Sequence, residues 1–331
     1  MKKLMNHSEE VIQDMLSGFV AAHKKVVKHI PNSTVIIRND NTSKRKVALV
    51  SGGGSGHEPS HAGFVGTGML DAAVLGEVFT SPTPDQVYEA IKAVDGGKGV
   101  LLIIKNYTGD IMNFEMAAEL AESEGIQVAT VVVNDDVAVE NSTYTSGRRG
   151  IAGTVFVHKI AGAFAETESS LEEVERVANK VIKNVRSMGV ALSPCTIPAA
   201  GTPSFSLDET EMEIGMGIHG EPGIERSTIQ TADEVATLLV EKILDDLQLE
   251  ENSTVAVMIN GLGSTPLMEL YIINKKVAEI LEGRNINVHE SFVGEFMTSL
   301  EMAGCSVSIL KLDDELKTLL DAQATTPAFK K

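Results

Sequence analysis

Short apolar runs alternate along this chain with longer segments of helical apolar spacing, and this alternation constrains the fold most strongly. The runs Gly99–Lys105 and Ile126–Asn134 are almost continuously apolar, as is typical of parallel strands covered on both faces. Parallel neighbours need a crossover connection, which is usually a helix. The sequence therefore predicts an α/β fold of two α/β domains, with mostly parallel or mixed sheets flanked by helices.

The predicted elements run the length of the chain. Strands are predicted at 34–38, 46–51, 99–105, 126–134, 254–260, 286–293 and 305–311, with a glycine-punctuated strand and loop at 211–226. Helices are predicted at 6–30, 80–94, 115–125, 154–167, 170–188, 231–247 and 267–281. After Met188, a stretch rich in Pro, Ser and Thr indicates a crossover or a domain boundary. We expect an N-terminal domain at residues 1–190 and a C-terminal domain at residues 191–331.

Length and charge exclude several classes of protein. A chain of 331 residues exceeds the size at which single cores usually stop growing. Its 46 acidic and 28 basic side chains give a formal net charge of −18, which argues against binding along nucleic acid or anionic lipid. Two cysteines exclude a disulfide scaffold and a cysteine-rich zinc site. Because no apolar run is long enough to span a membrane and the N-terminus lacks a signal peptide's apolar core, we expect a cytoplasmic protein.

Loops that follow the predicted strands are the places to expect a ligand, since open α/β sheets bind ligands beyond the carboxyl ends of their strands. These loops are polar and rich in glycine. Residues 51–110 alone contain 12 of the 29 glycines in less than a fifth of the chain. Glycine is needed where the backbone bends sharply or approaches another group closely, so this region is the first candidate for a site.

The run Gly52–His57 directly follows the strand predicted at 46–51. One interpretation is a nest of backbone N–H groups that holds phosphate or hydroxyl oxygens, and the other is a tight turn that binds nothing. The run is not a P-loop, because no Gly-Lys-Ser/Thr follows, and the bulk of His57 makes it a poor dinucleotide fingerprint. Since three consecutive glycines are costly in chain entropy, we favour a ligand contact.

Two residue pairs near this run carry possible chemistry. His57 and His61 have the i, i+4 spacing of a two-ligand metal site, but no third ligand is evident, so we predict no metal. We expect His57 instead to form hydrogen bonds or handle a proton. Lys105 and Asp110 either converge on one small ligand, with the carboxylate accepting a hydroxyl proton, or form a surface pair with Asp110 as a helix N-cap.

Two further clusters leave alternatives open. His219 lies between Ile218 and Gly220, where its imidazole is accessible enough to attack a carbonyl group. A turn histidine satisfied by backbone is the simpler interpretation of these residues alone. Asp135–Asp136 and Arg148–Arg149 could hold a phosphate or a partner, but an ordinary surface ion pair is the better expectation.

Six long motifs occur in order between about residue 10 and the C-terminus. They are SGGGSGHEPSHAGFVGTGMLDAAVLGEVFTSPTPDQ, LLIIKNYTGDIMNFEMA, VVVNDDVAVENSTYTSGRRGIAGT, PCTIPAAG, MEIGMGIHGEPGIER and NGLGSTPLMELY. Together they are similar to the substrate-binding subunits of the dihydroxyacetone kinase family, of the type that depends on phosphoenolpyruvate and the phosphotransferase system.

The resemblance implies a covalent mode of substrate binding. A nitrogen of His219 would add to the ketone carbon of dihydroxyacetone and form a hemiaminal, while Asp110, helped by His57, would accept the proton of a terminal hydroxyl. The implied catalytic residues are His57, Asp110 and His219. The implied substrate-binding residues are Gly54, Ser55, Gly56, His57, Lys105, Asp110 and His219.

The resemblance also implies partners. The chain has no Walker motif, and single-chain relatives continue beyond the equivalent of Lys331 into a nucleotide-binding domain. We therefore expect no cofactor on this chain, with ADP or ATP and Mg²⁺ on a separate kinase subunit that a phosphohistidine-carrying subunit recharges. A homodimer is implied too. The alternative is a dihydroxyacetone-sensing transcription co-activator that acts with a transcription regulator. Such relatives depart from the KNYTGD and TSPTPD segments, which this chain keeps.

Overall fold

The first of two six-stranded sheets lies in the N-terminal half of the chain. The computed structural model describes residues 2–40, 45–140 and 145–331. The strands of the first sheet are β1 (Val27–His29), β2 (Val35–Arg38), β3 (Ala48–Ser55), β4 (Ala72–Val78), β5 (Val100–Lys105) and β6 (Val128–Val133). Their spatial order is β1-β2-β4-β3-β5-β6. The four strands β4, β3, β5 and β6 are parallel, and β1 and β2 extend the sheet antiparallel.

Helices cover both faces of this sheet. They are α1 (Val11–His23), α2 (Pro84–Val94), α3 (Thr108–Ser123), α4 (Thr154–Ala165) and α5 (Leu171–Asn184). Leu102 and Ile104 of β5 pack in one apolar cluster with α2 and α3, whereas Leu101 and Ile103 pack in another with α4 and α5. Because each face of β5 meets helices, every residue of this strand is apolar until Lys105.

The second sheet is mixed and mostly antiparallel. Its strands are β7 (Val185–Ser193), β8 (Glu211–Ile214), β9 (Glu225–Thr228), β10 (Thr254–Gly261), β11 (Asn287–Gly294) and β12 (Ala303–Leu312), in the order β11-β10-β12-β7-β8-β9. Within the described residues β10 and β11 are parallel and the other neighbours antiparallel. Helices α6 (Ala232–Leu247) and α7 (Leu267–Gly283) cover one face, and α8 (Asp314–Asp321) returns to pack on α4.

A layer of helices lies between the two sheets. The cluster that contains Leu101 of β5 and Phe156 of α4 also contains Val177 of α5 and Met258 of β10. The two sheets therefore share one apolar core through α4 and α5. The predicted division of the chain at residues 190 and 191 falls inside β7, and it stays a prediction.

Most predicted elements are present, but two helices end earlier than predicted, and α3 begins at Thr108 rather than at residue 115. The helix predicted at 6–30 ends at His23, and β1 follows; the helix predicted at 170–188 ends at Asn184, where β7 begins. At both helix ends the apolar residues have a spacing that fits a helix or a strand equally well, so the pattern did not show where the helix ends and the strand begins. Strand β4 and helix α8 were not predicted. No helix among the described residues is long and apolar enough to cross a membrane.

Local signals explain several helix ends. The side chains of Ser170 before α5 and Thr231 before α6 each accept a hydrogen bond from the backbone N–H of the glutamate three residues later. The side chain of that glutamate in turn accepts a hydrogen bond from the backbone N–H of the capping residue. These reciprocal capping boxes satisfy backbone donors that a helix start otherwise leaves free. α2 begins at Pro84, whose missing N–H costs nothing in the first turn.

The close packing of α4 predicts opposite effects for two helical glycines. A Cβ on Gly162 would lie 2.6 Å from the backbone oxygen of Met69, whereas a Cβ on Gly18 of α1 would have nothing within 4 Å. We expect Gly162→Ala to lower the free energy of unfolding by about 1–3 kcal/mol through overpacking. Gly18→Ala should raise it by about 0.5–1 kcal/mol. Urea unfolding followed by circular dichroism measures both, and an equal effect of the two substitutions would contradict the packing.

Candidate active site

A cleft of about 740 Å³ opens where chain segments from both sheets meet. The first sheet contributes β3 itself and the segments beyond β4 and β5, and the second sheet contributes the segments beyond β7 and β8. The residues that line the cleft are Gly54, Val78, Phe79, Thr80, Ser81, Tyr107, Thr108, Gly109, Asp110, Asn113, Ile197 and His219. Three of the predicted site residues, Gly54, Asp110 and His219, are therefore brought together.

The carboxylate of Glu221 holds the imidazole of His219. Oε1 of Glu221 lies 2.8 Å from Nδ1, and Oε2 accepts a hydrogen bond of 2.9 Å from the His219 backbone N–H. Burial by itself raises the pKa of Glu221, but contacts with His219 and Arg149 outweigh burial and lower the pKa to about 2. Since an ionised carboxylate only accepts, Nδ1 carries the proton of the neutral ring and Nε2 keeps its lone pair.

Aromatic rings surround this imidazole. The ring centroid of Tyr107 lies 4.6 Å from that of His219, the centroid of His57 lies at 4.8 Å and that of Phe79 at 5.3 Å, all in edge-on geometry. Edge-on packing is a favourable arrangement for aromatic rings and leaves little room for rotation. The side chain of His219 is 16% exposed, so one edge of a fixed ring faces the cleft.

A buried ion pair lies beneath the His219 segment. The guanidinium of Arg149 contacts the carboxylate of Asp136 at 2.6 Å and donates a hydrogen bond of 2.7 Å to the backbone oxygen of Gly215. The surface interpretation of this pair is wrong, because both side chains are almost fully buried. Arg148 pairs instead with Asp246. Residues 141–144 of the same predicted loop lie outside the described residues.

His57 lies directly behind His219 and is completely buried. Its Nδ1 lies 2.7 Å from the carbonyl oxygen of Thr298, which can only accept, so Nδ1 donates and Nε2 has the lone pair. Nε2 has no hydrogen-bond partner among the described residues. Burial, and then the charges of His219 and Lys105, lower the pKa of His57 well below its ordinary value. A buried acceptor without a partner next to a cleft is available to a bound hydroxyl.

Asp110 lies in the first turn of α3 and is 3% exposed. One carboxylate oxygen accepts a hydrogen bond from the Ser81 hydroxyl, and the other lies 3.2 Å from Nζ of Lys105. The N-cap residue of α3 is Tyr107, so the prediction of Asp110 as N-cap is wrong, and burial also rules out a surface pair.

The glycine run is an extended strand. Residues 52–54 belong to β3 and pair in parallel with β4. A Cβ on Gly53 would collide with Nζ of Lys105, and a Cβ on Gly54 would lie 2.6 Å from the backbone nitrogen of Thr80. Close approach by neighbouring groups therefore requires these glycines, and neither a tight turn nor a nest describes residues 52–54.

Three predicted substrate contacts are engaged elsewhere. The Ser55 hydroxyl donates to the backbone oxygen of Gly76 at 2.7 Å, and the Gly56 N–H donates to the carboxylate of Glu58 at 3.1 Å. Lys105 is 1% exposed and lies behind Asp110. Direct contacts of these residues with a substrate stay predictions.

Sequence reasoning missed four residues of the site. Glu221, Ser81, Tyr107 and Phe79 were not predicted, although each lies within a motif. The signal for Glu221 was its place two residues after a candidate nucleophile in a glycine-bounded turn. Ser81 belongs to the TSPTPD segment, which favoured the kinase over a co-activator but suggested no role for Ser81 itself.

Two other groups of histidine and carboxylate side chains among the described residues lie outside the cleft. Nδ1 of His61 lies 2.9 Å from Nε2 of His158. His61 and His57 therefore do not direct their ring nitrogens at one common ligand, despite their i, i+4 spacing. His289, Glu290 and Asp321 bring possible ligand atoms within 4.8 Å of one another. Lys331, however, forms ion pairs with both of these carboxylates, so the cluster is neutralised without an ion.

Comparison with known proteins identifies relatives over the whole chain. The family described as the Dak1 domain matches residues 17–328. The chain is 56% identical over 315 residues to the PTS-dependent dihydroxyacetone kinase 1, dihydroxyacetone-binding subunit DhaK, of Listeria innocua, covering 95% of each chain.

Solved structures of the same fold include a kinase and a co-activator. The dihydroxyacetone kinase of C. freundii in complex with AMP-PNP and Mg²⁺ matches with a TM-score of 0.92 and 38% identity, over 99% of this chain and 61% of that one. The dihydroxyacetone kinase operon co-activator Dha-DhaQ matches with a TM-score of 0.91 and 36% identity, over 98% and 99%.

The ionised state of Glu221 predicts a pH-dependent contribution to stability. Because its pKa in the fold is about 2 and its ordinary value is 4.5, the stabilisation is complete above about pH 4.5 and is lost as the pH falls toward 2. The loss in free energy of unfolding caused by Glu221→Gln should be on the order of 3 kcal/mol larger at pH 6 than at pH 2. Denaturant unfolding at both pH values measures it, and equal losses would contradict the assignment.

Proposed function

The chain belongs to the Dak1 domain family, and from this premise we propose that it is the dihydroxyacetone-binding subunit of a dihydroxyacetone kinase that depends on the phosphotransferase system. The observation that carries the proposal is the imidazole of His219, with its Nδ1 2.8 Å from the carboxylate of Glu221, in the same cleft as Asp110. The names of the relatives supply the substrate, and the geometry of the cleft supplies a chemistry that suits a small ketone.

His219 is the covalent tether in this proposal. A bond forms between Nε2 and the ketone carbon of dihydroxyacetone, the C=O double bond opens, and the resulting alkoxide oxygen takes up a proton from water, which regains one when the ring releases its Nδ1 proton. The ring is cationic until it gives up its Nδ1 proton, and the carboxylate of Glu221, 2.8 Å away, stabilises that charge. The lone pair on Nε2 of His57 then accepts a hydrogen bond from the new hydroxyl.

Asp110 is the general base in this proposal. It accepts the proton of a terminal hydroxyl while that oxygen bonds to the transferred phosphorus, and the bond from phosphorus to the nucleotide breaks. Its hydrogen bonds from Ser81 and Lys105 hold the carboxylate in a fixed orientation. A tethered triose next to a fixed carboxylate also gains the rate advantage of orientation.

Lys105 and the β3 segment support this base. Gly53 and Gly54 leave space for the ammonium of Lys105 and for the backbone of Thr80. We propose that Gly54, Ser55, Gly56 and His57 form the wall against which the triose lies. Lys105 acts on the substrate through Asp110, since its side chain is buried.

The nucleotide and Mg²⁺ lie on a partner subunit in this proposal. The relative from Listeria is named a subunit of a PTS-dependent kinase, and the present sequence contains no Walker motif. A phosphohistidine-carrying subunit recharges the ADP on that partner from phosphoenolpyruvate. We further propose that the chain forms a homodimer and acts in the cytoplasm, as its resemblance implies.

A dihydroxyacetone-sensing transcription co-activator is the second candidate, favoured by the match to the co-activator structure. A sensor needs the tether on His219 but no base on the hydroxyl. The hydrogen bond from Ser81 to Asp110 joins the TSPTPD and KNYTGD segments in one contact. Since co-activators depart from both segments, this contact supports the kinase.

Asp110→Asn tests the general base. We expect the variant to bind dihydroxyacetone with unchanged affinity in calorimetry and to lose about 100- to 10,000-fold in kcat, because an amide cannot accept the proton. Activity is measured with the nucleotide-binding subunit, the phosphohistidine subunit and phosphoenolpyruvate. Asp85→Asn, in the first turn of the neighbouring helix α2, is the matched control. A near-normal rate for Asp110→Asn would refute the assignment.

A crystal soaked in dihydroxyacetone tests the tether. We expect continuous electron density between Nε2 of His219 and the central carbon of the triose, and none at Nδ1, because Glu221 occupies that side. The His219→Ala variant should show a free triose or an empty cleft. A triose that lies detached from His219 in the unmodified protein would refute the covalent step.

A further inference from the structure

Behind Asp110, a line of buried polar side chains leads away from the cleft into the shared core. Nζ of Lys105 lies 3.2 Å from Oδ2 of Asp110 and 3.4 Å from Nε2 of His61. Nδ1 of His61 lies 2.9 Å from Nε2 of His158 on α4. Each of these side chains is at most 5% exposed. The roles proposed above for the triose and its base use neither His61 nor His158.

The ammonium of Lys105 needs every acceptor that it has. It carries three N–H groups, and three acceptors lie around it: the backbone oxygen of Gly52 at 3.3 Å, Asp110 and His61. The ring of Tyr107, with its centroid 5.8 Å away, adds a weak cation–π contact. A buried ammonium with an unmatched donor is costly, so His61 completes the set.

The tautomer of His61 follows from its two neighbours. Because an ammonium can only donate, Nε2 of His61 must be unprotonated, and its proton is on Nδ1. That proton points to Nε2 of His158, which accepts it. Burial, and then the charges of Lys105 and His158, lower the pKa of His61 well below its ordinary value, which keeps the ring neutral.

We propose that His61 is a positioning residue, which sets the place of the Lys105 ammonium and through it the orientation of Asp110, and that His158 fixes the tautomer this requires. His61 touches no cleft-lining atom in this scheme. A neutral acceptor suits the role, because a second carboxylate beside Asp110 would compete with it for the ammonium. The proposal rests on the proposed function only in taking Asp110 as the base.

Activity variants at His61 form the first test. His61→Leu removes the acceptor and should lower kcat about 10- to 100-fold, while the calorimetric dissociation constant for dihydroxyacetone changes less than about threefold. His61→Gln restores an amide oxygen toward Lys105 and an N–H toward His158, so it should recover kcat to within about fivefold of the unmodified protein.

Ser51→Ala is the matched control for a general loss of stability. The Ser51 hydroxyl makes a buried hydrogen bond of 2.6 Å to the backbone oxygen of Ile103 in the same sheet and does not contact Lys105. This variant should lose stability but keep its kcat. If His61→Leu lowers kcat no more than Ser51→Ala does at equal stability, the positioning role is overturned.

A measurement without turnover separates this proposal from the proposed function. ¹⁵N-histidine NMR of the unmodified protein, with no substrate, should show His61 protonated at Nδ1 and unprotonated at Nε2 at pH 7. His158→Leu removes the acceptor of the Nδ1 proton and should populate the other tautomer, whereas His158→Gln should preserve the first. If the protein phosphorylates dihydroxyacetone but His61 is protonated at Nε2, the positioning role of His61 is refuted and the proposed function stands. If the tautomer is as stated but no phosphorylation occurs, only the proposed function fails.

Discussion

A single buried ammonium, that of Lys105, determines how the site-forming half of the molecule is arranged. It excludes a side chain at position 53, draws Asp110 inward from the start of α3, and requires a neutral acceptor on its third side. Placing this charge in the core is costly unless each donor is matched. One cation is therefore surrounded by groups from strand β3, helix α3 and the loop that carries His61.

The site combines two carboxylates that have different surroundings. Glu221 is nearly completely enclosed and gives both oxygens to one histidine, so it acts as a fixed negative partner of a ring. Asp110 accepts from a hydroxyl and an ammonium at the edge of the cleft, where a substrate hydroxyl can reach it. In the proposed mechanism, the same functional group serves in one place as an orienting group and in the other as an acceptor for a mobile proton.

The alternation of apolar runs and helices predicted the α/β class and most strand positions. A strand buried on both faces, such as β5, requires a continuous run of apolar residues, which is easily recognised in the sequence. It did not predict that β7 begins at Val185, since the end of α5 and the start of β7 are similarly apolar. The motifs predicted His219, Asp110 and Gly54 at one cleft. They did not predict that Lys105 is buried, or that Glu221 and Ser81 contact His219 and Asp110. Such contacts depend on which segments meet in the folded chain rather than on spacing along the sequence.

The layer of α4 and α5 packs against both sheets, and the two reactive side chains come from different sheets. Asp110 follows β5 of the first sheet, whereas His219 follows β8 of the second. The distance between His219 and Asp110 therefore depends on the thickness of the helical layer between the sheets. In the proposed mechanism, core residues such as Phe156 and Val177 help to set the spacing of the two groups that act on the substrate.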